Sequence, residues 1–91
     1  MDFGDAIRHM KLGRKVARTG WNGKGMWLIY VPGSEALLFP DTPYSIALRK
    51  PEVQINPHID MLTADGKMQP GWLASQTDML AEDWVLVEDA Q

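Results

Sequence analysis

The most unusual run of residues in this chain is Gly20-Trp21-Asn22-Gly23-Lys24-Gly25. Glycine lets backbone amides approach a phosphate closely, Lys24 supplies a positive charge, Trp21 offers a flat stacking face, and Asn22 can read a base edge. The same residues also suit a plain β-turn, because Asn22-Gly23 is the preferred pair of a type I′ hairpin and a lone lysine in such a turn is usually solvated. The run is not a Walker loop. The spacing of four residues before Gly-Lys and the following Ser or Thr are both absent, so hydrolysis of a nucleoside triphosphate gets no support.

A second cluster, Gly71-Trp72-Leu73-Ala74-Ser75-Gln76-Thr77-Asp78, places an aromatic plane beside four hydrogen-bonding side chains. Its simpler reading is a helix cap at Ser75 with Trp72 packed in the core. His58 and Asp60 stand two apart, so on a strand they share a side and can in principle hold a metal or act as a base and its orienting acid. No further histidine nearby completes a ligand set, because His9 falls on an expected helix. Glu82 and Asp83 are adjacent, so their carboxylates diverge and read as solvated charge. Trp84, just before an apolar run, and Trp27, inside another, read as core.

Charge is distributed unevenly. Residues 1–24 carry six bases and two acids, a net +4, while residues 25–91 carry three bases and ten acids, a net −7. Gathered on one face, the basic segment makes a local anion site on a protein of net charge −3, too acidic to favour bulk nucleic acid. A small anionic ligand fits better. The absence of cysteine excludes disulfide frameworks, thiolate zinc sites and cysteine nucleophiles, and leaves cytoplasm as the default compartment. The longest apolar run, Met26 to Val31, is far short of the ~20 residues that cross a bilayer, and the acidic start Met1-Asp2-Phe3-Gly4-Asp5 argues against a secretory signal.

These groups must be positioned by one small domain, since 91 residues with 45% apolar and 23% charged side chains suit a single globular core over residues 1–91. Phe3, Ala6, Ile7 and Met10 recur at helical spacing and predict a helix over 3–12, capped by Asp2 with Asp5 three residues on, and ended by Gly13. Lys15-Val16-Ala17-Arg18 reads as a strand that pairs with a largely buried strand over 26–31. From Pro32 to Pro57 five prolines predict a long shaped loop, within which Tyr44–Leu48 forms a helical turn or a short strand. His58–Thr63 and Lys67–Gln69 flank Asp65-Gly66, a two-residue hairpin signal, with Pro70 limiting the return strand to an edge. Ser75 caps a short helix over 76–82, and Trp84–Val87 closes the domain as a last strand. The result is an α+β fold: a small antiparallel sheet packed with an N-terminal helix and a short C-terminal helix.

Three stretches together resemble a known family: Phe3-Gly4-Asp5-Ala6-Ile7, then Lys15 through Met26, and finally Trp72 through Trp84. They are similar to the phage and prophage family once catalogued as a domain of unknown function and now associated with the second type of Thoeris anti-defence protein. The resemblance runs from residue 3 to about residue 88. It implies a sponge acting in the host bacterial cytoplasm, one that binds the cyclic nucleotide signal of a bacterial immune TIR enzyme and holds it from its effector. It further implies a homo-oligomer, a tetramer, that sequesters glycocyclic ADP-ribose without a cofactor or metal; some members also take cyclic di- or trinucleotides at a separate site.

A cyclic ADP-ribose isomer presents an adenine face, ribose hydroxyls and a pyrophosphate. On the resemblance, Trp21 is assigned to stacking, Asn22 and Asp78 to base-edge or hydroxyl hydrogen bonds, and Lys24 or Arg18 to the pyrophosphate. Ser75, Gln76 and the amides around Gly23 and Gly25 complete the contacts, with Trp72 as the aromatic plane of the second motif. Two other readings stay open: an interaction protein that blocks a host immune enzyme or effector directly, and a small nucleotide hydrolase with Asp78 or His58 as general base.

Overall fold

A helix with one apolar stripe needs a surface to cover, and here it lies against one face of a five-stranded sheet. The structure, a computed structural model, describes residues 1–88. The helix, α1 (Phe3–Lys11), buries Ala6 and Met10 and half-buries Phe3 and Ile7, the stripe expected from their spacing. Asp2 caps it by accepting from the Asp5 amide at 2.8 Å, and Gly13 leaves it at φ +88°, a conformation that glycine adopts without strain.

The sheet is built from β1 (Lys15–Arg18), β2 (Trp27–Val31), β5 (His58–Leu62), β6 (Met68–Gln69) and β7 (Trp84–Val87), in the order β6-β5-β2-β1-β7, with every neighbouring pair antiparallel. Opposed residues share a face, so Val16↔Leu28, Leu28↔Met61 and Tyr30↔Ile59 put one set of side chains under α1. Ala6, Met10, Val16, Leu28 and Trp84 form the buried core. Among the described residues no helix packs on the other face, which carries Ala17, Trp27, Ile29 and Leu62. That is why only Leu28 of β2 is fully buried, where the apolar run predicts a largely buried strand.

The turns differ from their expected chemistry. β1 and β2 do pair, but neither Asn22 nor Gly23 has the positive φ that a type I′ turn needs; the left-handed residue is Gly25, at φ +79°. The connection is therefore a longer shaped loop, residues 19–26. The second hairpin closes over three residues, 64–66, with Thr63 and Lys67 paired across it and Gly66 in the left-handed conformation. A turn closed by the Gly66 amide on Thr63 O, with that glycine left-handed, accounts for the extra residue.

Residues 32–57 are more ordered than five prolines suggest. They hold β3 (Ser34–Leu37) paired with β4 (Glu52–Ile55) in a separate two-stranded sheet, and α2 (Pro43–Leu48) between them. The prolines stand at element boundaries: Pro43 opens α2, where a backbone N–H has no partner in any case, and Pro32 and Pro57 mark the break between the two ladders. Of the two conformations open to Tyr44–Leu48, the helical one is adopted. α3 (Gln76–Leu80) is capped by Ser75, whose Oγ accepts from the Asp78 amide at 3.0 Å, and it ends two residues before the expected Glu82. Among the described residues no helix is long and apolar enough to cross a membrane.

Candidate functional site

β1 ends at Arg18, and the pairing Arg18↔Trp84 brings the start of β7 alongside it. Asp83, one residue before Trp84, then receives Arg18 Nε at 2.8 Å through Oδ1 and the Gly20 amide at 2.8 Å through Oδ2. A Cβ at Gly20 would lie 2.7 Å from that Oδ2, so a larger residue there would push the carboxylate away from the amide. Asp83 is thus a structural anchor of the loop, not the solvated charge that its adjacency to Glu82 suggests. Glu82 itself is exposed.

Asp78, delivered by the first turn of α3, completes the arrangement. Its Oδ1 accepts from Arg18 Nη1 at 2.8 Å and from the Trp21 indole N–H at 3.2 Å, while Oδ2 accepts from the Ser75 amide at 3.3 Å. Burial pushes the Asp78 carboxyl upward, but the hydrogen bonds from Arg18, Trp21 and Ser75 outweigh it and leave its pKa below the ordinary value. The Arg18 hydrogen bond is the main cause of the lowered Asp83 value, and Arg18 is raised in turn by Asp83 and then Asp78. With its side chain only 14% exposed, Arg18 faces two carboxylates, and the trio carries a net charge of −1.

The ring of Trp21 lies 5.4 Å from that of Trp84 and 6.4 Å from that of Trp72, both edge-on. Phe3 adds contacts to Trp72 and Trp84. Trp84 is buried, as expected of a core residue, and its indole N–H donates to the Asp78 carbonyl at 3.0 Å. Trp72 is half-buried within this aromatic cluster, held there because its amide donates to Ile59 O at 2.7 Å and the preceding Gly71 amide donates to Asp60 Oδ1 at 3.0 Å. Asp60 also stands 3.4 Å from His58 Nε2, so the two do share a side; among the described residues no third His, Cys, Asp or Glu joins them.

In front of Trp21 lies an open groove of about 330 Å³, lined by Arg18, Trp21, Gly23, Lys24, Met26 and Trp27 among others. This is within the ~300–1,000 Å³ range of small-molecule sites. Trp27 is therefore a groove residue, not a core one, and Lys15 Nζ sits 5.2 Å from its ring centroid. Lys24 is exposed and has no ion pair among the described residues. The groove can stack a planar ring on indole and meet an anion with lysine.

Of the nine residues singled out by sequence, Arg18, Trp21, Gly23 and Lys24 line this groove together. Asp78 and Ser75 stand behind it, bracing Arg18 and Trp21, and Trp72 packs against Trp21 from the side. Asn22 and Gln76 are exposed, make no side-chain hydrogen bond among the described residues and do not line it. Sequence reasoning missed Trp27 and Asp83. The period-2 alternation of β2 could have placed Trp27 opposite Leu28, whereas nothing local announces Asp83.

The Thoeris anti-defense 2-like domain matches residues 1–87. The chain is similar to Thoeris anti-defense 2 of Bacillus phage SP01, at 41% identity over 87 residues that cover 96% of this chain and 94% of that protein. The resemblance carried by the three stretches thus extends through the proline-rich middle, and the chain belongs to the Thoeris anti-defense 2-like family.

Proposed function

We propose that this Thoeris anti-defense protein acts as a sponge: it binds a cyclic ADP-ribose-type signalling nucleotide in the host bacterial cytoplasm and releases it unchanged. The observation that carries the reading is the groove in which Trp21, Trp27 and Lys24 stand around glycine-bearing backbone, with Trp21 held by Asp78. An indole pair supplies stacking worth ~1–3 kcal/mol per base, and Lys24 supplies a charge-assisted hydrogen bond of about 1.5–3 kcal/mol. Several such contacts offset the entropy of binding and reach tight capture.

Arg18, Asp78 and Ser75 work as positioning groups in this reading. Arg18 already bonds to two carboxylates, so the pyrophosphate falls to Lys24, with Lys15 close by at Trp27. Capture without cleavage is favoured by the state of Asp78: a carboxylate paired with arginine and lowered in pKa is a poor general base near neutral pH. An open groove also releases ligand quickly, so slow release calls for a second copy that closes it, in keeping with the homo-oligomer, a tetramer, that the family resemblance implies.

Thermal shift against a panel of cyclic nucleotides tests this function, because a ligand that binds only the folded state raises the melting temperature by mass action. Glycocyclic ADP-ribose is expected to raise it by several degrees. No shift with any cyclic nucleotide would remove the reading.

A further inference from the structure

Asn22 takes no part in the groove or in the clamp behind it: it is exposed, its carboxamide makes no hydrogen bond among the described residues, and it does not line the groove. Gly23 follows it, and the Gly23 amide also makes no hydrogen bond among the described residues. An asparagine so placed reacts with its own backbone, which is why asparagine counts among the thermolabile residues. The nitrogen of the next residue attacks the side-chain carbonyl carbon Cγ, ammonia leaves, and a cyclic imide forms. Water then opens the imide at one carbonyl or the other, giving aspartate or isoaspartate. The attack needs a nitrogen that is neither shielded nor held, and glycine, with no Cβ and a permissive backbone, is the follower that hinders it least.

The structure separates this pair from the two other places where the same ring could close. The chain's other asparagine, Asn56, precedes Pro57, whose nitrogen carries no hydrogen. Asp65 precedes Gly66, but the Gly66 amide donates to Thr63 O at 2.9 Å within a closed hairpin. The hydrogen bond from Thr63 also lowers the Asp65 pKa, and an ionised carboxylate is a poor electrophile. Glycine at 23 is itself fixed by packing, since a Cβ there would lie 2.9 Å from Met26 Sδ and 3.0 Å from Ala64 Cβ. The loop's close fit to the turn after β5 therefore favours the one follower that leaves Asn22 reactive.

We propose that Asn22 is a site of spontaneous deamidation, through the Gly23 nitrogen, and that the conversion weakens anion capture at the groove as the protein ages. The product carries a carboxylate two residues before Lys24, the exposed cation of the groove. The isoaspartyl form also adds a carbon to the backbone between Trp21 and Lys24, which changes the spacing of the stacking ring and the lysine. Both changes act against a ligand that presents a pyrophosphate to Lys24. The effect on capture rests on the sponge reading above, whereas the modification itself does not.

The test ages the folded chain over days at mildly alkaline pH and maps it by peptide mass, beside a synthetic peptide of residues 20–25 as the unstructured reference. The segment holding Asn22 should gain the mass of an amide-to-acid exchange at a rate close to that of the synthetic peptide, with isoaspartate detected by enzymatic methylation. Asn56 should keep its amide and Asp65 should stay free of isoaspartate. Asn22→Gln, whose longer side chain closes the ring far more slowly, should keep its mass. By calorimetry with glycocyclic ADP-ribose, the converted chain and freshly made Asn22→Asp should bind roughly three- to tenfold more weakly than fresh wild type, and aged Asn22→Gln should bind as it did before ageing. A folded chain that keeps Asn22 intact while the peptide converts would overturn the site, and conversion with unchanged affinity would overturn its effect on capture. A fresh chain that binds no cyclic nucleotide would remove the sponge reading and that effect with it, while the mass map still decides the modification.

Discussion

The indole N–H of Trp21 and the carboxylate of Asp78, 57 residues apart in sequence, meet at 3.2 Å, and the same Oδ1 also takes Arg18 Nη1 at 2.8 Å. One oxygen therefore fixes both the stacking ring and the cation behind it. The relationship joins the glycine-rich loop to the start of α3, and it makes the groove a preformed surface, not one assembled around its ligand.

Removing Asp78 should loosen both groups at once. Asp78→Ala leaves the Arg18 guanidinium and the Trp21 indole short of an acceptor, and an unmade hydrogen bond at a site this enclosed costs about 1–3 kcal/mol. Urea denaturation should show a lower midpoint, and tryptophan emission should shift to the red in the folded variant. An unchanged midpoint with unchanged emission would mean that the contact does not hold the ring.

Trp21→Ala removes the stacking face of the groove. Loss of ~1–3 kcal/mol of stacking corresponds to roughly a 5- to 150-fold weaker dissociation constant for a cyclic ADP-ribose-type ligand, read by calorimetry. Trp21→Phe, which keeps a ring but loses the bond to Asp78, should fall between the two. Equal affinity in all three proteins would exclude Trp21 from the contact.

The two cations of the groove should separate cleanly. Lys24 is exposed and outside the clamp, so Lys24→Ala should leave the melting temperature nearly unchanged while weakening nucleotide binding about tenfold and flattening its salt dependence. Arg18→Ala leaves Asp78 and Asp83 facing each other across the gap and should lower the melting temperature itself. If Arg18→Ala melted like wild type and lost only binding, their roles would be reversed.

Acid should unfold the clamp in a definite window. Asp78 and Asp83 both bind protons less readily in the folded chain than at the ordinary carboxyl value of 3.8, so their contribution is fully present well above that value and is lost as pH falls through their lower folded values. Melting temperature should be flat from neutrality to about pH 5 and drop below about pH 4. Asp83→Asn, which cannot ionise, should melt lower at neutral pH and show a shallower acid drop.

Much of this was legible in one dimension where the controlling interaction is local. The stripe Phe3, Ala6, Ile7, Met10 and the caps Asp2 and Ser75 depend on neighbours within a turn or two, and they came out as the spacing says. The two-stranded sheet of β3 and β4 is hidden because a proline reads as a breaker wherever it stands, and only the ladder partners, Leu37↔Glu52 for instance, show that these prolines mark ends. Asp83 was hidden for a related reason: its partner Arg18 is 65 residues away, and the contact exists only once β1 and β7 are known to be neighbours. The loop 19–26 looked like a type I′ hairpin since Asn-Gly favours one, but Gly20 is fixed by Asp83 and Gly23 packs near Met26 and Ala64, so tertiary contacts set its path.

Titration calorimetry with glycocyclic ADP-ribose, followed by denaturing the complex and weighing the released nucleotide by mass spectrometry, tests capture without cleavage most directly. The account predicts saturable, tight binding and recovery of the nucleotide at its original mass. Absence of binding heat, or release of a hydrolysed product, would contradict it.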